Sequence, residues 1–297
     1  FATHPALIAN PWRAGVLATI APEASVAVMG TGLTMADTVA TLTRLGHRGP
    51  IAAFSRRGLL SRSNLSGSSE PWPGEYDRGT LRQRLRQIRL DIERAAEQGQ
   101  AWQVVLDAVR NQGQSIWQGL TLADRQRFLR HLRSYWDVHR YRIAPQVAGV
   151  LEQRQRDGSL RVLAARLTAL EGDAQKLALT LAPRRGETLR VSADHFILTT
   201  GPAHGGLTDS QPLLRQLSQR GLIRADAFGF GLDVDRRSRA IGREGRITPN
   251  LLVSGPAARA CFGELMGLPQ VADHAAAVAD EALRTLGVKQ SARCPAF

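Results

Sequence analysis

The stretch Ser25-Val26-Ala27-Val28-Met29-Gly30-Thr31-Gly32 decides the fold of the first part of this 297-residue chain. Its first five residues are a short apolar run, typical of a strand that is buried on both faces of a parallel sheet. Residues 33–45 follow with the apolar spacing of a helix, which Gly46-His47-Arg48-Gly49-Pro50 ends. A second apolar run, Ile51-Ala52-Ala53-Phe54-Ser55, comes next. The order strand, glycine turn, helix, strand predicts a Rossmann-like α/β unit.

A strand that ends in Gly-x-Gly directs the start of the next helix toward a phosphate group. The first glycine permits the tight turn, and the second lets a pyrophosphate approach the free N–H groups at the positive helix end. We therefore expect a dinucleotide to contact Gly30, Thr31, Gly32, Leu33 and Thr34. The third glycine of the fingerprint is replaced by Met35, although the neighbouring Ala36 is small enough for close packing of helix on strand. A tight turn without a ligand stays open as the alternative.

The end of the second strand indicates which dinucleotide is bound. Units that bind NAD usually place Asp or Glu there, to accept a hydrogen bond from the ribose 2′-hydroxyl. This chain has Ser55, Arg56 and Arg57 instead, and guanidinium groups match a 2′-phosphate. The pattern favours NADP over NAD. The alternative is two surface arginines in an arginine-rich chain.

The remaining sequence predicts a helical segment followed by strands. Residues 56–79 are rich in Ser and Pro and are expected to form a loop. Helices are predicted over 82–96, 102–109, 121–132 and 145–156, the third with Thr121 as N-cap and Asp124 three residues later. Short strands are predicted over 160–163, 177–181 and 196–198, a further buried strand over 250–253, and a terminal helix over 268–286.

Several motifs resemble a family of bacterial NAD(P)/FAD-binding proteins. These are flavoproteins of the superfamily with two dinucleotide-binding domains, which also contains flavin monooxygenases and N-hydroxylases. The resemblance spans nearly the whole chain and rests on Gly30–Asp37, Gly46–Ile51, Ser55–Leu60, Arg130–Arg140, Thr200-Gly201-Pro202, Phe228–Asp235, Gly255-Pro256 and Glu264.

The resemblance implies a domain organisation. It gives a connecting segment (1–23), an NAD(P)-binding domain (24–198) with a helical insertion (80–156), and the C-terminal part of a second, FAD-type domain (199–297). It also implies cofactor contacts at Thr200, Gly201, Pro202, Gly255, Pro256, Glu264 and Gln270, with Gly255 and Pro256 at the flavin. The helix after Pro269 would aim its positive end at the flavin. An ordinary strand–turn–helix at the end of a domain is the alternative.

Two departures from the family pattern qualify this expectation. Family members begin with a glycine-rich βαβ motif for the FAD pyrophosphate, and no such motif precedes Gly30. We therefore expect this chain to lack that N-terminal FAD-binding segment and to bind FAD weakly by itself. Relatives also carry Pro and a nearby His after Leu60, where this chain has Ser61-Arg62-Ser63.

The stretch from His131 to Arg142 is the candidate for substrate contact, because it is unusually polar and aromatic for a core segment. Asp137 and His139 are candidates for proton transfer, since histidine titrates near neutral pH. The alternative is a buried Trp136 whose polar neighbours only fasten the helices to the sheet. His131 and His139 have no clear third ligand, so we expect no metal.

Charge and composition exclude some classes of protein. The net charge of +13 comes almost entirely from arginine, as in Leu81-Arg82-Gln83-Arg84-Leu85-Arg86. Such a charge can attract nucleic acid, but no nucleic-acid-binding motif accompanies it, so a solvated basic face is favoured. No apolar run reaches membrane-spanning length. Cys261 and Cys294 form no CxxC motif, and a cytoplasmic location is expected.

Three functions follow for comparison with the structure. The favoured one is an FAD- and NADPH-dependent oxidoreductase, in which NADPH reduces flavin and flavin reduces oxygen or a small organic substrate. The second is a non-catalytic dinucleotide-binding chain that lacks the flavin pyrophosphate site. The third is an arginine-rich nucleic-acid binder. The sequence has no Gly-x-Ser-x-Gly, P-loop or His-Glu-x-x-His motif, so it gives no support to hydrolase, NTPase or zincin activity.

Overall fold

A computed structural model describes residues 4–173, 176–201 and 206–287. They form two compact units. Within the described chain, the first unit comprises residues 4–71, 95–106 and 127–201, and the second comprises 72–94, 107–126 and 206–287. The helical segment predicted over 80–156 thus contributes residues to both units. Pro202 and Cys294, both singled out above, lie outside the described residues.

Along the described residues, the secondary structure begins with strands and helices in alternation, continues with six successive helices and four successive strands, and ends with further helices and a strand pair. The strands are β1 (Leu7–Ile8), β2 (Val26–Met29), β3 (Ile51–Ser55), β4 (Leu160–Gly172), β5 (Leu177–Pro183), β6 (Leu189–Ala193), β7 (His195–Leu198), β8 (Arg239–Ile241) and β9 (Ile247–Leu252). The α-helices are α1 (Leu33–Arg44), α2 (Leu81–Glu97), α3 (Trp102–Asn111), α4 (Gly113–Gln118), α5 (Leu122–His131), α6 (Arg133–Arg140), α7 (Pro145–Arg156), α8 (Leu207–Ser210), α9 (Pro212–Gln219), α10 (Arg259–Phe262) and α11 (Leu268–Thr285). Two 3₁₀ helices cover Val16–Thr19 and Gly255–Ala258.

The first unit is built on a seven-stranded sheet in the order β1-β7-β2-β3-β4-β5-β6. The pairs from β1 through β4 are parallel, and β4, β5 and β6 form an antiparallel meander. Val26 and Val28 belong to the core cluster that includes side chains of α1 and α7. Ala27 belongs to the cluster that includes the apolar side chains of the meander. Burial on both faces explains why β2 is a continuous apolar run.

Helix α1 packs closely on the sheet through fully buried side chains. Met35 and Val39 have no exposed surface, and Leu42 is also buried. Their spacing of three to four residues places them on one face of the helix. Ala36 is 1% exposed, in agreement with the expectation that a small residue permits close approach here.

The structure confirms many of the expected elements and corrects others. The second strand and the helix predicted over 145–156 have the expected bounds. The first 23 residues were expected to be a connecting segment only, but they contribute β1, which pairs with β7. Strand β6 and helix α4 were not predicted.

The strand predicted over 250–253 was expected to be buried, but it is buried only in part: Val253 belongs to the apolar core and Leu251 packs against it. The chain forms β9 over Ile247–Leu252, paired with β8 alone, and none of its six residues is buried. A pair of strands that is not extended by further strands leaves part of its surface in contact with solvent.

The second unit has its own apolar core. The buried side chains come from β8, α10 and the connecting loops, and include Ile223, Leu232, Val234, Ala240, Val253, Ala258, Phe262 and Leu265. Trp117 of α4 joins this unit by donating a hydrogen bond from Nε1 to the carbonyl of Ala260, at 2.8 Å. None of the helices among the described residues is long and apolar enough to cross a lipid bilayer.

Candidate functional site

The candidate site of the first unit lies at the carboxyl ends of three neighbouring parallel strands. Gly30 follows β2, Ser55 is the last residue of β3, and Thr199 follows β7. Helix α1 leads from β2 to β3 on one side, whereas β7 pairs with β2 on the other. Such a reversal of strand order opens a crevice at the strand ends, where ligands bind in α/β sheets.

Gly30 occupies a position that only glycine fits. Its φ is +116°, and a Cβ built there would lie 2.5 Å from Thr199 Oγ1 and 2.7 Å from the Thr199 carbonyl oxygen. The Gly30 N–H donates to the carbonyl of Phe54 at 2.8 Å. The first glycine of the turn is therefore required by contacts within the protein.

Gly32 is not required by any such contact. A Cβ at Gly32 would meet no atom within 4 Å, and the residue is exposed. Gly32 is the N-cap of α1, no side chain caps the helix, and the first turn carries no acidic residue. Among the described residues, no side chain caps the N–H groups at the start of this 12-residue helix. This arrangement suits an anionic group.

The two arginines after β3 have different surroundings. Arg57 donates from Nη2 to the carbonyl of Arg130 at 3.1 Å and from Nη1 to that of His131 at 3.5 Å. Its guanidinium also lies 5.4 Å from the centre of the Tyr135 ring. Arg56 is exposed and makes no hydrogen bond or ion pair with the described residues. Arg56 is thus the arginine that is available to a ligand.

The hydroxyl of Ser55 is bonded within the protein. It lies 2.8 Å from Thr31 Oγ1 and accepts a hydrogen bond from the N–H of Gly58 at 3.0 Å. Thr31, which is 5% exposed, donates to the carbonyl of Leu59 at 2.7 Å. These bonds join the glycine turn to the loop that carries the arginines.

The remaining candidates of the first unit surround this turn. Leu33 is 38% exposed at the start of α1, which is unusual for a large apolar residue beside a helix that is otherwise packed on the sheet. Thr34 is half-buried, and its carbonyl accepts a hydrogen bond from the Thr38 hydroxyl. Thr200 and Gly201 are exposed just beyond the end of β7. All four leave polar or apolar surface for a ligand at the carboxyl ends of the strands.

Asp137 and His139 have separate neighbours in α6. Asp137 faces Arg133, with 3.4 Å between Oδ2 and Nε. His139 Nδ1 lies 2.7 Å from the carbonyl oxygen of Tyr135, and its ring packs edge-on against Trp102. Residues two apart on a helix point in different directions. The structure therefore does not bring these two side chains together as a proton relay.

In the second unit, Gly255 and Pro256 begin a 3₁₀ helix directly after β9. The N–H of Gly255 donates to His274 Nδ1 at 3.1 Å. Because Nδ1 accepts, the proton of the neutral ring is on Nε2, which lies 2.9 Å from the Ser238 hydroxyl. His274 is 6% exposed, and burial lowers its pKa. His274 thus holds the Gly255 turn against α11 as a neutral imidazole.

Gln270 lies in the first turn of α11, an 18-residue helix whose N-cap, Gly267, gives no side-chain cap. Gln270 Oε1 accepts a hydrogen bond from Arg110 at 3.3 Å. Glu264 lies beside Gly113, where an added Cβ would be 3.2 Å from the Cβ of Glu264. Among the described residues, no group of three or more His, Cys, Asp and Glu side chains is placed to hold a metal ion.

Four residues that shape these sites were not among the predicted site residues. Thr199 packs on Gly30, Gly58 and Leu59 hold the hydroxyls of Ser55 and Thr31, and His274 fixes Gly255. Thr199 stands at the end of a predicted strand, which is a detectable signal. His274 is 19 residues from Gly255 on another element, and the sequence gives no sign that they meet.

No protein-family model matches the chain, and no curated protein matches it. Its fold is nevertheless similar to that of solved flavoproteins. L-lysine 6-monooxygenase from Pseudomonas syringae matches with a TM-score of 0.57 and 18% identity, over 92% of this chain and 56% of that one. Ornithine hydroxylase from Pseudomonas aeruginosa matches with a TM-score of 0.54 and 15% identity, over 90% and 54%.

A third structure is that of an ornithine N-hydroxylase from Kutzneria sp. 744, with reduced FAD, NADP⁺ and L-ornithine. Its TM-score is 0.52 at 14% identity, over 95% of this chain and 60% of that one. This chain therefore spans between half and two thirds of the length of these neighbours. The comparison shows that this chain shares the α/β fold of these structures, in agreement with the fold class that the resemblance predicted.

Proposed function

We propose that the first unit binds NADPH, with the pyrophosphate at the Gly30–Gly32 turn. The main support for this proposal is the difference between the surroundings of Gly30 and those of Gly32. Gly30 is explained by its contact with Thr199, but none of the described residues touches the position that a side chain of Gly32 would fill. An uncapped helix N-terminus adjoins this open space, and it would supply N–H donors and a positive partial charge to a pyrophosphate.

Arg56 is our candidate for the 2′-phosphate. It stands one residue beyond β3, where dinucleotide-binding units recognise the ribose, and its guanidinium is exposed. Arg57 is engaged by the carbonyls of Arg130 and His131. We therefore assign recognition of the 2′-phosphate to Arg56. Arg57 instead holds the loop in place through its bonds to the two carbonyls.

We further propose that the chain serves a flavin-dependent oxidoreductase that acts on a small molecule. Support comes from the fold that it shares with lysine and ornithine hydroxylases. FAD, when bound, would accept hydride from NADPH and deliver electrons to oxygen or to an organic substrate.

The chain's own contribution would be to bind and orient the cofactors. The start of α11 has neither a capping side chain nor an acidic residue, so it fits negative charge on a flavin. Gly255, Pro256, Gln270 and Glu264 remain our candidates for FAD contact in the second unit. Thr200 and Gly201 remain candidates for cofactor contact in the first unit.

The NADPH assignment is tested by dissociation constants for NADPH and NADH, measured by titration of the purified chain. Since an arginine–phosphate pair contributes a charge-assisted bidentate bond, Arg56→Ala is expected to weaken NADPH binding by about tenfold or more. NADH binding is expected to change little. Arg44→Ala, an exposed arginine at the other end of α1, is the matched control. An unchanged preference for NADPH in Arg56→Ala would contradict the assignment.

Flavin binding is tested separately, by the visible absorption spectrum of the purified chain after incubation with FAD and gel filtration. Retained yellow colour supports a role in flavin catalysis. NADPH binding without retained flavin would favour the second function, a dinucleotide-binding protein that does not itself hold FAD. Salt-sensitive DNA binding without any dinucleotide binding would point to the nucleic-acid interface instead.

A further inference from the structure

We propose that Thr31 and Ser55 act together as positioning residues that set the preference for NADPH over NADH. Neither hydroxyl contacts the cofactor directly in this proposal. Both act through Arg56, because their hydrogen bonds fix the loop that carries it. This inference rests on the proposed binding of NADPH at the Gly30–Gly32 turn.

The direction of the hydrogen bonds follows from counting protons. The Leu59 carbonyl can only accept, so the hydroxyl proton of Thr31 is used in that 2.7 Å bond. The 2.8 Å contact between Thr31 and Ser55 must then use the proton of Ser55. The Gly58 N–H donates to Ser55 Oγ. The chain of bonds therefore runs in one direction, from Gly58 through Ser55 and Thr31 to Leu59.

The hydrogen bonds of Ser55 within the protein limit the contacts that its hydroxyl can make with a ligand. Its one hydroxyl proton is given to Thr31, and it already accepts a hydrogen bond from Gly58. Ser55 therefore has no proton left for a ribose or phosphate oxygen. Its position at the end of β3 serves the geometry of the loop.

The loop around Arg56 is held on both sides. Before it, the Ser55 hydroxyl is bonded as described. After it, the Arg57 guanidinium is bonded to two backbone carbonyls. Gly58 follows with φ +60°, and a Cβ there would lie 2.9 Å from the backbone nitrogen of Ala164. The backbone of Arg56 is thus fixed beside the turn, while its side chain stays exposed.

Thr31 is the residue of the Gly-x-Gly turn that makes this connection. Its side chain is buried, and it lies between the two glycines. Substitution by valine keeps the shape of the side chain but removes both hydrogen bonds. The pyrophosphate turn would then remain while the loop with Arg56 loses its link to it. We therefore expect a selective loss of NADPH recognition.

The test compares the NADPH and NADH dissociation constants of the full chain for Thr31→Val, Thr31→Ser and Thr38→Val. Thr31→Val should lower the ratio of NADPH to NADH affinity by about tenfold, the effect of losing one well-placed charged contact. Thr31→Ser keeps the hydroxyl and should restore the ratio. Thr38 is a second buried threonine, on α1, whose hydroxyl bonds only to the carbonyl of Thr34. Its valine variant should keep the wild-type ratio.

The possible results distinguish failure of this inference from failure of the proposed function. Wild-type protein that binds neither dinucleotide would refute the proposed function itself. If Thr31→Val keeps the wild-type preference for NADPH, the inference is overturned. It is also overturned if the variant loses affinity for NADPH and NADH equally. The proposed function would stand in both cases. If Thr31→Val does not fold, Ser55→Ala replaces it, because Thr31 then keeps its bond to Leu59. Ser55→Ala should lower the same ratio, and an unchanged ratio would overturn the inference.

Discussion

At the scale of single residues, Gly30 and Gly32 stand in one turn for different reasons. Gly30 has positive φ and lies against Thr199, so the folded chain itself requires glycine. Gly32 has φ −93° and ψ −156°, a backbone conformation that other residues adopt, and open space where a side chain would be. No contact among the described residues requires glycine at position 32, whereas the proposed pyrophosphate would.

Alanine at each glycine separates stability from binding. Gly30→Ala should lower the free energy of unfolding by about 2–4 kcal/mol, because it combines backbone strain with overlap on Thr199. Gly32→Ala should change it by less than about 1 kcal/mol, as for exposed substitutions. It should still weaken NADPH binding by about tenfold or more, because its methyl group enters the space of the pyrophosphate. Urea denaturation and NADPH titration of both variants measure this. Unaltered NADPH affinity in a stable Gly32→Ala protein would contradict the account.

The residue types in the sequence predicted the position of the turn better than they predicted the roles of individual side chains. Gly-x-Gly after an apolar run identified the position of the turn, since the steric demand on Gly30 is local. From the residue pattern alone, Arg56 and Arg57 have the same expected role, and only the structure separates them. Arg57 is held by carbonyls about 75 residues further along the chain, a contact that no local pattern encodes.

At the scale of elements, a buried arginine of α7 holds the first unit together opposite the candidate site. Arg154 is 5% exposed and donates to the Gly49 carbonyl at 2.7 Å and to the Ser159 hydroxyl at 2.9 Å. It also lies 3.4 Å from His47 Nδ1. One side chain thus joins α7, the turn after α1 and the start of β4.

Removal of this side chain should destabilise the first unit without altering the ligand site. Arg154→Ala leaves the buried carbonyl of Gly49 without its donor, so we expect a loss of about 3 kcal/mol in the free energy of unfolding. Arg156→Ala, two residues later and exposed, should cost less than about 0.5 kcal/mol. Chemical denaturation of the two variants checks the difference. Equal stability of the two variants would show that the Arg154 contacts contribute nothing net.

The elements that sequence predicted well are those with strong local patterns. Strands β2 and β3 are continuous apolar runs, and helices α1 and α7 have apolar periodicity. All four have clear stop signals and form as expected. β1 has only two residues, and its pairing with β7 joins positions almost 190 residues apart. β9 has the apolar residues of a buried strand, but whether a second layer covers it depends on tertiary structure.

At the scale of the whole molecule, three histidines make stability depend on pH. Burial is the largest cause that lowers the pKa of His47, His195 and His274 below the ordinary value of 6.5. For His47, the neighbouring Arg154 lowers the pKa further, against a raising hydrogen bond to Ala24. Each ring is therefore less easily protonated in the folded protein than in the unfolded chain.

The sign of the dependence follows from proton linkage. Below about pH 6.5 the unfolded chain binds more protons at these rings than the folded protein, so the free energy of unfolding falls as pH is lowered. Above about pH 7.5 the histidine contribution should be constant. Denaturation curves between pH 5.5 and 7.5 measure the slope. His47→Gln should reduce the slope, because it removes one of the three rings whose pKa is lowered in the folded protein. A slope of zero or of opposite sign in the wild-type protein would contradict this assignment.

The central claim, that NADPH binds at the turn after β2, is tested most directly by a crystal structure of the chain grown with NADP⁺. We expect the pyrophosphate at the N-terminus of α1, against Gly32, with the 2′-phosphate within hydrogen-bonding distance of Arg56. A dinucleotide bound elsewhere, or one whose ribose phosphate lies away from Arg56, would contradict the account.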